Sequence, residues 1–249
     1  MKALIYAIII VAGTLIGPFN SSADDRIIEA LIAEQNRIRT IDCTLTQLIY
    51  EDGNTIRYAG RYRADSKGRF RVDYTLPSKQ TVLNTPGGLF WHMPEDNTLY
   101  IIESKSPALS GNTPGGIGNM MKKIEKGMEL KYIGTHLYGF FTVAHRFIML
   151  DGGRGNRMEI LAGARDNIIL EKKVLDRDGT AVMRELYSDY TTVGGMNFPL
   201  RVDVFAKTGT GVTRSISFYR DVQLNVTIPD EIFRLTVPGN VRKMTYGPR

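Results

Sequence analysis

Cysteine is almost missing from this sequence: Cys43 is the only one in 249 residues. No intramolecular disulfide can form, so the fold has to hold without a covalent staple. Cys43 itself sits in an alternating apolar stretch, the setting of a small buried side chain rather than a nucleophile. Histidine is scarce too, and His92, His136 and His145 fall in neither H-x-x-x-H nor H-E-x-x-H spacing. One thiol and three scattered imidazoles do not make a zinc site, so neither a metal nor a cofactor is expected. There is no G-x-S-x-G elbow and no P-loop. Gly152-Gly153-Arg154-Gly155 opens no helix and reads as a hairpin turn, and Glu51-Asp52 reads as solvated turn charge. With no constellation of acid, base and nucleophile, the chain is not expected to be an enzyme. Lys and Arg exceed Asp and Glu by 32 to 26, a net charge of +6. They are spread along the chain, so no nucleic-acid partner is expected.

Long apolar runs are confined to the N-terminus. Lys2 is followed by the uncharged run Ala3 to Gly17, then by Pro18 and by Ser21-Ser22-Ala23. This is the three-part pattern of a secretory leader, with cleavage expected after Ala23. The run is short of the roughly 20 apolar residues of a membrane-spanning helix, and no Cys near the junction offers a lipid-attachment point. The expected organisation is a leader over 1–23 and a single domain over 24–249, exported to the periplasm.

After the leader, Asp24 to Arg39 carries Ile27, Ile28, Leu31, Ile32 and Ile38 close to one helical stripe, which predicts an amphipathic helix. From Ile41 the period changes to two. Short alternating segments then follow at about 8 to 12 residue spacing, the pattern of an all-β sheet or barrel. They run through Ile41–Tyr50, Ile56–Tyr62, Phe70–Tyr74, Gln80–Leu83, Leu89–Met93 and Thr98–Glu103. The rhythm stops between Ser104 and Lys131, where a Gly/Pro-rich loop over Pro107 to Gly118 precedes a predicted short helix, Asn119 to Leu130. It resumes at Phe140–Leu150, Arg157–Leu161, Ile168–Leu175, Ala181–Thr192, Phe198–Phe205 and Val212–Asn225. In the last of these Ile216 and Phe218 alternate with Ser215, Ser217 and Tyr219, the mark of a sheet with one buried face. Methionines at 120, 121 and 128 add an adaptable apolar surface. A curved sheet holding such a helix encloses either a cavity for an acyl chain or a filled core; the alternation is the same for both.

The order of these segments resembles the periplasmic lipoprotein-carrier and lipoprotein-sorting family, LolA and LolB with their relatives. Ile41-Asp42-Cys43-Thr44-Leu45-Thr46-Gln47 is similar to the family's first strand. Gly60-Arg61-Tyr62-Arg63 with Arg69 to Tyr74 and Pro77 resembles its G-x-(apolar)…F-R-W…P pair. Gly88 to Pro94 resembles the G-x-x-L-W-x-Y-x-P strand, and Asn225 with Ile228 to Pro238 the closing segment. Asp65-Ser66-Lys67 departs from the family's basic residue and Pro, and the stretch from Asp176 to Pro199 looks more like the sorting-protein relatives.

The resemblance implies a mainly β fold: an incomplete, strongly curved antiparallel β-barrel of about 11 strands, with helices covering its open side. It implies a soluble carrier that binds the acyl chains of lipoproteins or a lipid and moves them towards the outer membrane. The expected cavity residues are Phe70, Val72, Phe90, Trp91 and Met93 from the sheet, with Met120, Met121 and Ile124 from the insertion. Arg63 and Arg71 are the candidates for the family's lid-holding arginine. An inner-membrane exporter and an outer-membrane acceptor are the implied partners of a monomer. Two alternatives keep the fold: a sensor of lipid or peptide signals, and a ligand-free envelope interaction protein.

Overall fold

The computed structural model describes residues 21–51, 53–103, 128–151, 157–209 and 211–247. Most of the predicted leader, the Gly/Pro-rich loop and the predicted helix bearing Met120, Met121 and Ile124 lie outside them. Among the described residues strand accounts for 65%, and the one α-helix, α1, spans Ser21–Asn36. It starts three residues earlier and stops three residues earlier than its apolar stripe predicts. Leu31 is fully buried in the core, flanked by Ile27, Ile28 and Ile38. Gln35 Nε2 donates to the Asn167 carbonyl at 2.9 Å and Arg37 Nη2 to the Gly195 carbonyl at 2.6 Å, fixing the helix end to two sheet turns. Among the described residues no helix is long and apolar enough to cross a membrane.

The first six strands form a meander: β1 (Thr40–Glu51), β2 (Asn54–Asp65), β3 (Phe70–Leu76), β4 (Gln80–Thr85), β5 (Gly88–Met93) and β6 (Thr98–Ile102). A second meander comprises β7 (Met128–Tyr138), β8 (Thr142–Asp151), β9 (Arg157–Gly163), β10 (Ile169–Leu175), β11 (Ala181–Val193), β12 (Met196–Thr208) and β13 (Gly211–Leu224). Pairing of β1 with β13 joins the two into one sheet. After a 3-10 turn over Asp230–Phe233, the last strand, β14 (Arg242–Tyr246), runs parallel to β6. Among the described residues the order is β14-β6-β5-β4-β3-β2-β1-β13-β12-β11-β10-β9-β8-β7, with β14 and β7 as its edges.

The sheet is therefore open, as expected, but among the described residues it has 14 strands rather than about 11. The additional strands include β7 and β14. Residues 128–130, predicted as the end of a helix, start β7. In place of several helices over the open side, the described residues contain α1, which seats Leu31 in the core.

Register divides every strand into two faces. Cys43, Tyr62, Val72, Val82, Trp91 and Tyr100 form one cross-strand row over β1–β6. Arg63, Arg71, Leu83 and Phe90 form a row on the opposite face. Leu45, Tyr219, Phe198, Ile160 and Phe147 continue the first face through the rest of the core. Gly60 permits the tight β2–β3 approach at a bulge, because a Cβ there would lie 2.2 Å from the Asp73 carbonyl oxygen.

Candidate functional site

A cavity of about 270 Å³ lies on the Cys43–Tyr62–Val72 face. Val82 and Leu89 of β4 and β5 line it together with Glu185 and Tyr187 of β11. Seven steps of the sheet order separate β5 from β11; in a flat sheet they would be about 34 Å apart at the usual strand spacing. Both can border one small cavity only if the sheet curves around it. The lined face is thus the concave one, and the row of Arg63 and Arg71 is convex.

Phe70, Val72, Val82 and Leu89 supply an apolar wall from β3–β5, joined by Leu45 from β1. Tyr62, Tyr74 and Gln47 follow, and Val202, Val204, Ser215, Ser217, Tyr219, Tyr187 and Glu185 complete the circuit. Aromatic rings stiffen it: Tyr62 meets Tyr219 edge-on at 6.2 Å between centroids, and Tyr58 meets Tyr74 at 5.4 Å. Most polar tips are engaged. Tyr74 Oη donates to Gln47 Oε1 at 3.2 Å, and the Tyr187 hydroxyl donates to the Glu185 carboxylate. Tyr62 Oη is buried with no hydrogen-bond partner.

Beside this wall, Lys172 of β10 stands directly opposite Glu185. Both are almost fully buried, and Lys172 Nζ lies 5.0 Å from the centroid of the Tyr187 ring. Burial lowers the Lys172 pKa, and the Glu185 charge opposes that shift. Burial pushes the phenols of Tyr62 and Tyr187 well above their usual range, and that of Tyr74 to about 12. These rings are therefore neutral hydrogen-bond donors at any ordinary pH.

Of the residues expected at the cavity, Phe70 and Val72 line it. Trp91 lies on the same face, opposite Val82, with its Nε1 donating to Gln80 Oε1 at 2.9 Å. Met93 follows Trp91 at the two-residue period on that face. Phe90 alternates to the convex side, opposite Leu83 and Ile101. Met120, Met121 and Ile124 are outside the described residues.

Arg63 and Arg71 are also on the convex face. Arg63 Nη1 donates to Asp73 Oδ2 at 3.2 Å. Arg71 Nε donates to Asp73 at 2.9 Å, while its Nη1 donates to the carbonyls of Ile232 and Arg234 at 3.0 and 3.2 Å. They brace the sheet and its C-terminal segment rather than facing the concave side. No group of three or more His, Cys, Asp or Glu among the described residues could hold a metal ion.

The wall formed by Glu185, Tyr187, Ser215 and Ser217 was hidden by its own polarity. In β13 the alternation is real, but Ser215, Ser217 and Tyr219 face the cavity while Ile216 and Phe218 face outward beside Asp203 and Arg201. Period two separates the faces without saying which is inside.

No family model and no curated protein matches the sequence. Solved structures do. A LolA superfamily protein from Nitrosomonas europaea aligns at a TM-score of 0.64 and 15% identity, covering 85% of this chain and 97% of that one. A DUF1329 family protein from Desulfovibrio piger aligns at 0.66 and 9% identity, with 84% and 96% covered. An outer-membrane lipoprotein-sorting protein domain from Vibrio parahaemolyticus aligns at 0.64 and 8% identity, with 86% and 97% covered. At such identities the likeness is one of fold. The chain has the LolA-type fold, an open sheet, antiparallel except for β14, curved around a concave face.

Proposed function

We propose that this protein is an exported carrier that takes the acyl chains of a lipoprotein or lipid into its concave cavity and moves them towards the outer membrane. The observation that carries the reading is the cavity itself, bordered by Leu45, Phe70, Val72, Val82 and Leu89 on one side of a curved sheet. Its fold, shared with LolA superfamily proteins, supports the same reading. Each methylene buried there contributes about 0.8 kcal/mol, so a short acyl segment gains several kcal/mol without any covalent step. At about 270 Å³ the cavity is slightly below the roughly 300–1,000 Å³ of ordinary small-ligand pockets, room for part of one chain rather than several. Loading and release then depend on relative affinities at an inner-membrane exporter and an outer-membrane acceptor.

Native mass spectrometry of gently purified protein, followed by lipid extraction, tests the binding step; the expected result is a bound acyl species. A reproducibly ligand-free protein that also takes up no added lipid overturns it. Depletion of the protein followed by envelope fractionation tests transport, with cargo expected to accumulate at the inner membrane.

A further inference from the structure

Because Glu185, Val202, Val204, Ser215 and Ser217 line the cavity, the residues between them face outward. That alternation gathers on the convex face charges that are far apart in the sequence. Tyr50, Arg214, Phe205, Arg184 and Lys173 stand side by side in one cross-strand row over β1 and β13 to β10. Phe218 and Arg201 are partners in a neighbouring row. The ion pairs here share one polarity. Glu171, its side chain 4% exposed, accepts from Arg184 at 2.5 Å and pairs with Lys173 at 3.1 Å, while the Arg184 side chain keeps 46% of its surface. Asp203, 9% exposed, lies 2.7 Å from both Arg201 and Arg214, and Arg214 is 42% exposed. Each carboxylate is sunk beneath two cations, so the outer layer is cationic although its charges are paired. Arg57 and Arg220 are exposed on the same face with no ion-pair partner among the described residues. Asp189 near Arg201 and Asp221 near Arg61 stand at its margin and are outnumbered. Ring contacts hold the guanidinium planes: Arg214 lies over Tyr50 and Phe205 at 5.5 and 5.3 Å, and Arg201 over Phe218 at 5.6 Å.

We propose that this convex face docks the protein on an anionic lipid bilayer, its arginines binding lipid phosphodiesters. A guanidinium carries five N–H donors and spends only one or two of them on its carboxylate here. Its fork matches the paired oxygens of a phosphate. The cations form an open row rather than a cleft, which suits a surface of many anions better than a single one. Arg214 and Arg184 are two strands apart, about 10 Å at the usual spacing, close to the separation of neighbouring lipid headgroups. Aromatic rings set between the cations suit the headgroup level of a bilayer. Docked in this way, the protein turns its concave face away from the membrane and keeps it open to a partner.

Flotation of the purified exported protein with vesicles of phosphatidylcholine alone, or of equimolar phosphatidylcholine and phosphatidylglycerol, tests the proposal. Binding is expected to the anionic vesicles only, and to weaken as salt rises. Arg184→Gln combined with Arg214→Gln leaves Lys173 on Glu171 and Arg201 on Asp203. It is expected to weaken binding about 30-fold, on the order of 5-fold for each cation lost at the membrane surface. Arg57→Gln combined with Arg220→Gln breaks no ion pair and is expected to weaken binding in the same way. Arg39, between α1 and β1, and Lys79, in the β3–β4 turn, lie off this face. Arg39→Gln combined with Lys79→Gln removes the same net charge and is expected to leave binding nearly unchanged. Thermal melts and uptake of diphenylhexatriene, an apolar fluorophore that reports the concave cavity, identify the variants that remain folded. Equal weakening by all three folded double variants overturns the proposal, because net charge alone would then drive binding. Binding to poly-glutamate but not to the anionic vesicles overturns it in favour of an acidic protein partner. Equal binding to neutral and anionic vesicles, or to neither, overturns it as well.

Discussion

Lys172 and Glu185 face each other across the β10–β11 ladder, each less than 7% exposed, at the polar side of the cavity wall. Removing the Lys172 charge leaves the buried Glu185 carboxylate without its opposite charge but with its hydrogen bond from Tyr187, so the cost lies below the roughly 3–5 kcal/mol of breaking a buried contact pair. Lys172→Met is therefore expected to lower the urea midpoint. Lys172→Met combined with Glu185→Leu is expected to recover most of that loss, because well-packed apolar pairs often match or exceed buried ion pairs. Equilibrium urea unfolding of the two single variants and the double variant measures the coupling; additive losses would show that the charges do not compensate each other.

Trp91 is the only tryptophan in the chain and stands on the concave face beside Val82. Its emission is expected to shift when an acyl probe enters. Val82→Phe, which adds volume at the cavity wall, is expected to weaken diphenylhexatriene binding on the order of 10-fold. Its stability penalty is expected to stay within about 1–3 kcal/mol, the usual cost of overpacking. Titrations followed by both fluorophores, alongside thermal melts, separate occupancy from unfolding.

Burial, reinforced by the charge of Asp42, raises the Cys43 pKa from 9.0 to about 12. The folded protein keeps a thiol where the unfolded chain already has a thiolate, so folding retains a proton. This contribution to stability is intact below the unfolded value of 9.0 and disappears as pH rises through about 12. Cys43→Ala is expected to give a flatter loss of stability across that alkaline window, measured by thermal unfolding. At about pH 8 an aromatic disulfide reagent is expected to leave the folded thiol untouched and to titrate it in urea.

Arg69 is the anchor of the C-terminal segment. Its Nη2 lies 2.6 Å from Asp230 Oδ1, its Nε donates to Asp65 Oδ2 at 2.8 Å, and its guanidinium stacks 4.3 Å from the centre of the Phe233 ring. Hydrogen bonding to Arg69, then the charge of Lys67, holds the Asp230 carboxyl below its usual range. Folding therefore favours the ionised carboxylate, and the anchor weakens as pH falls through that depressed value. Arg69→Ala is expected to expose residues 229–247 to limited proteolysis while the central strands stay protected. Unchanged protection of that segment would count against the anchor.

Strands such as β1, with Ile41, Cys43 and Leu45 buried in alternation, were legible because one face packs inward. β7 was not, since Ile133 and Leu137 are 49% and 60% exposed and Gly134 marks a shift in register. Phe140 and Phe141, predicted to open the next strand, instead occupy the exposed β7–β8 turn, and β8 begins at Thr142. β14 presents Arg-Lys-Met-Thr-Tyr, and only its parallel pairing with β6 makes it a strand. At the site, Phe70 and Val72 were expected from the family resemblance. Glu185, Ser217 and the orphaned Tyr62 hydroxyl were not, because recognising them required knowing which face the sheet folds inward.

The edges at β14 and β7 bear on what this sheet can hold. A closed barrel has its radius fixed by strand number and shear, and widening it requires every ladder to slip. Here the first and last strands are not paired to each other. Small changes of twist, summed over 14 strands, can widen the bore without breaking a single interstrand hydrogen bond. Capacity in this fold is an elastic property of the sheet rather than a fixed integer of its topology.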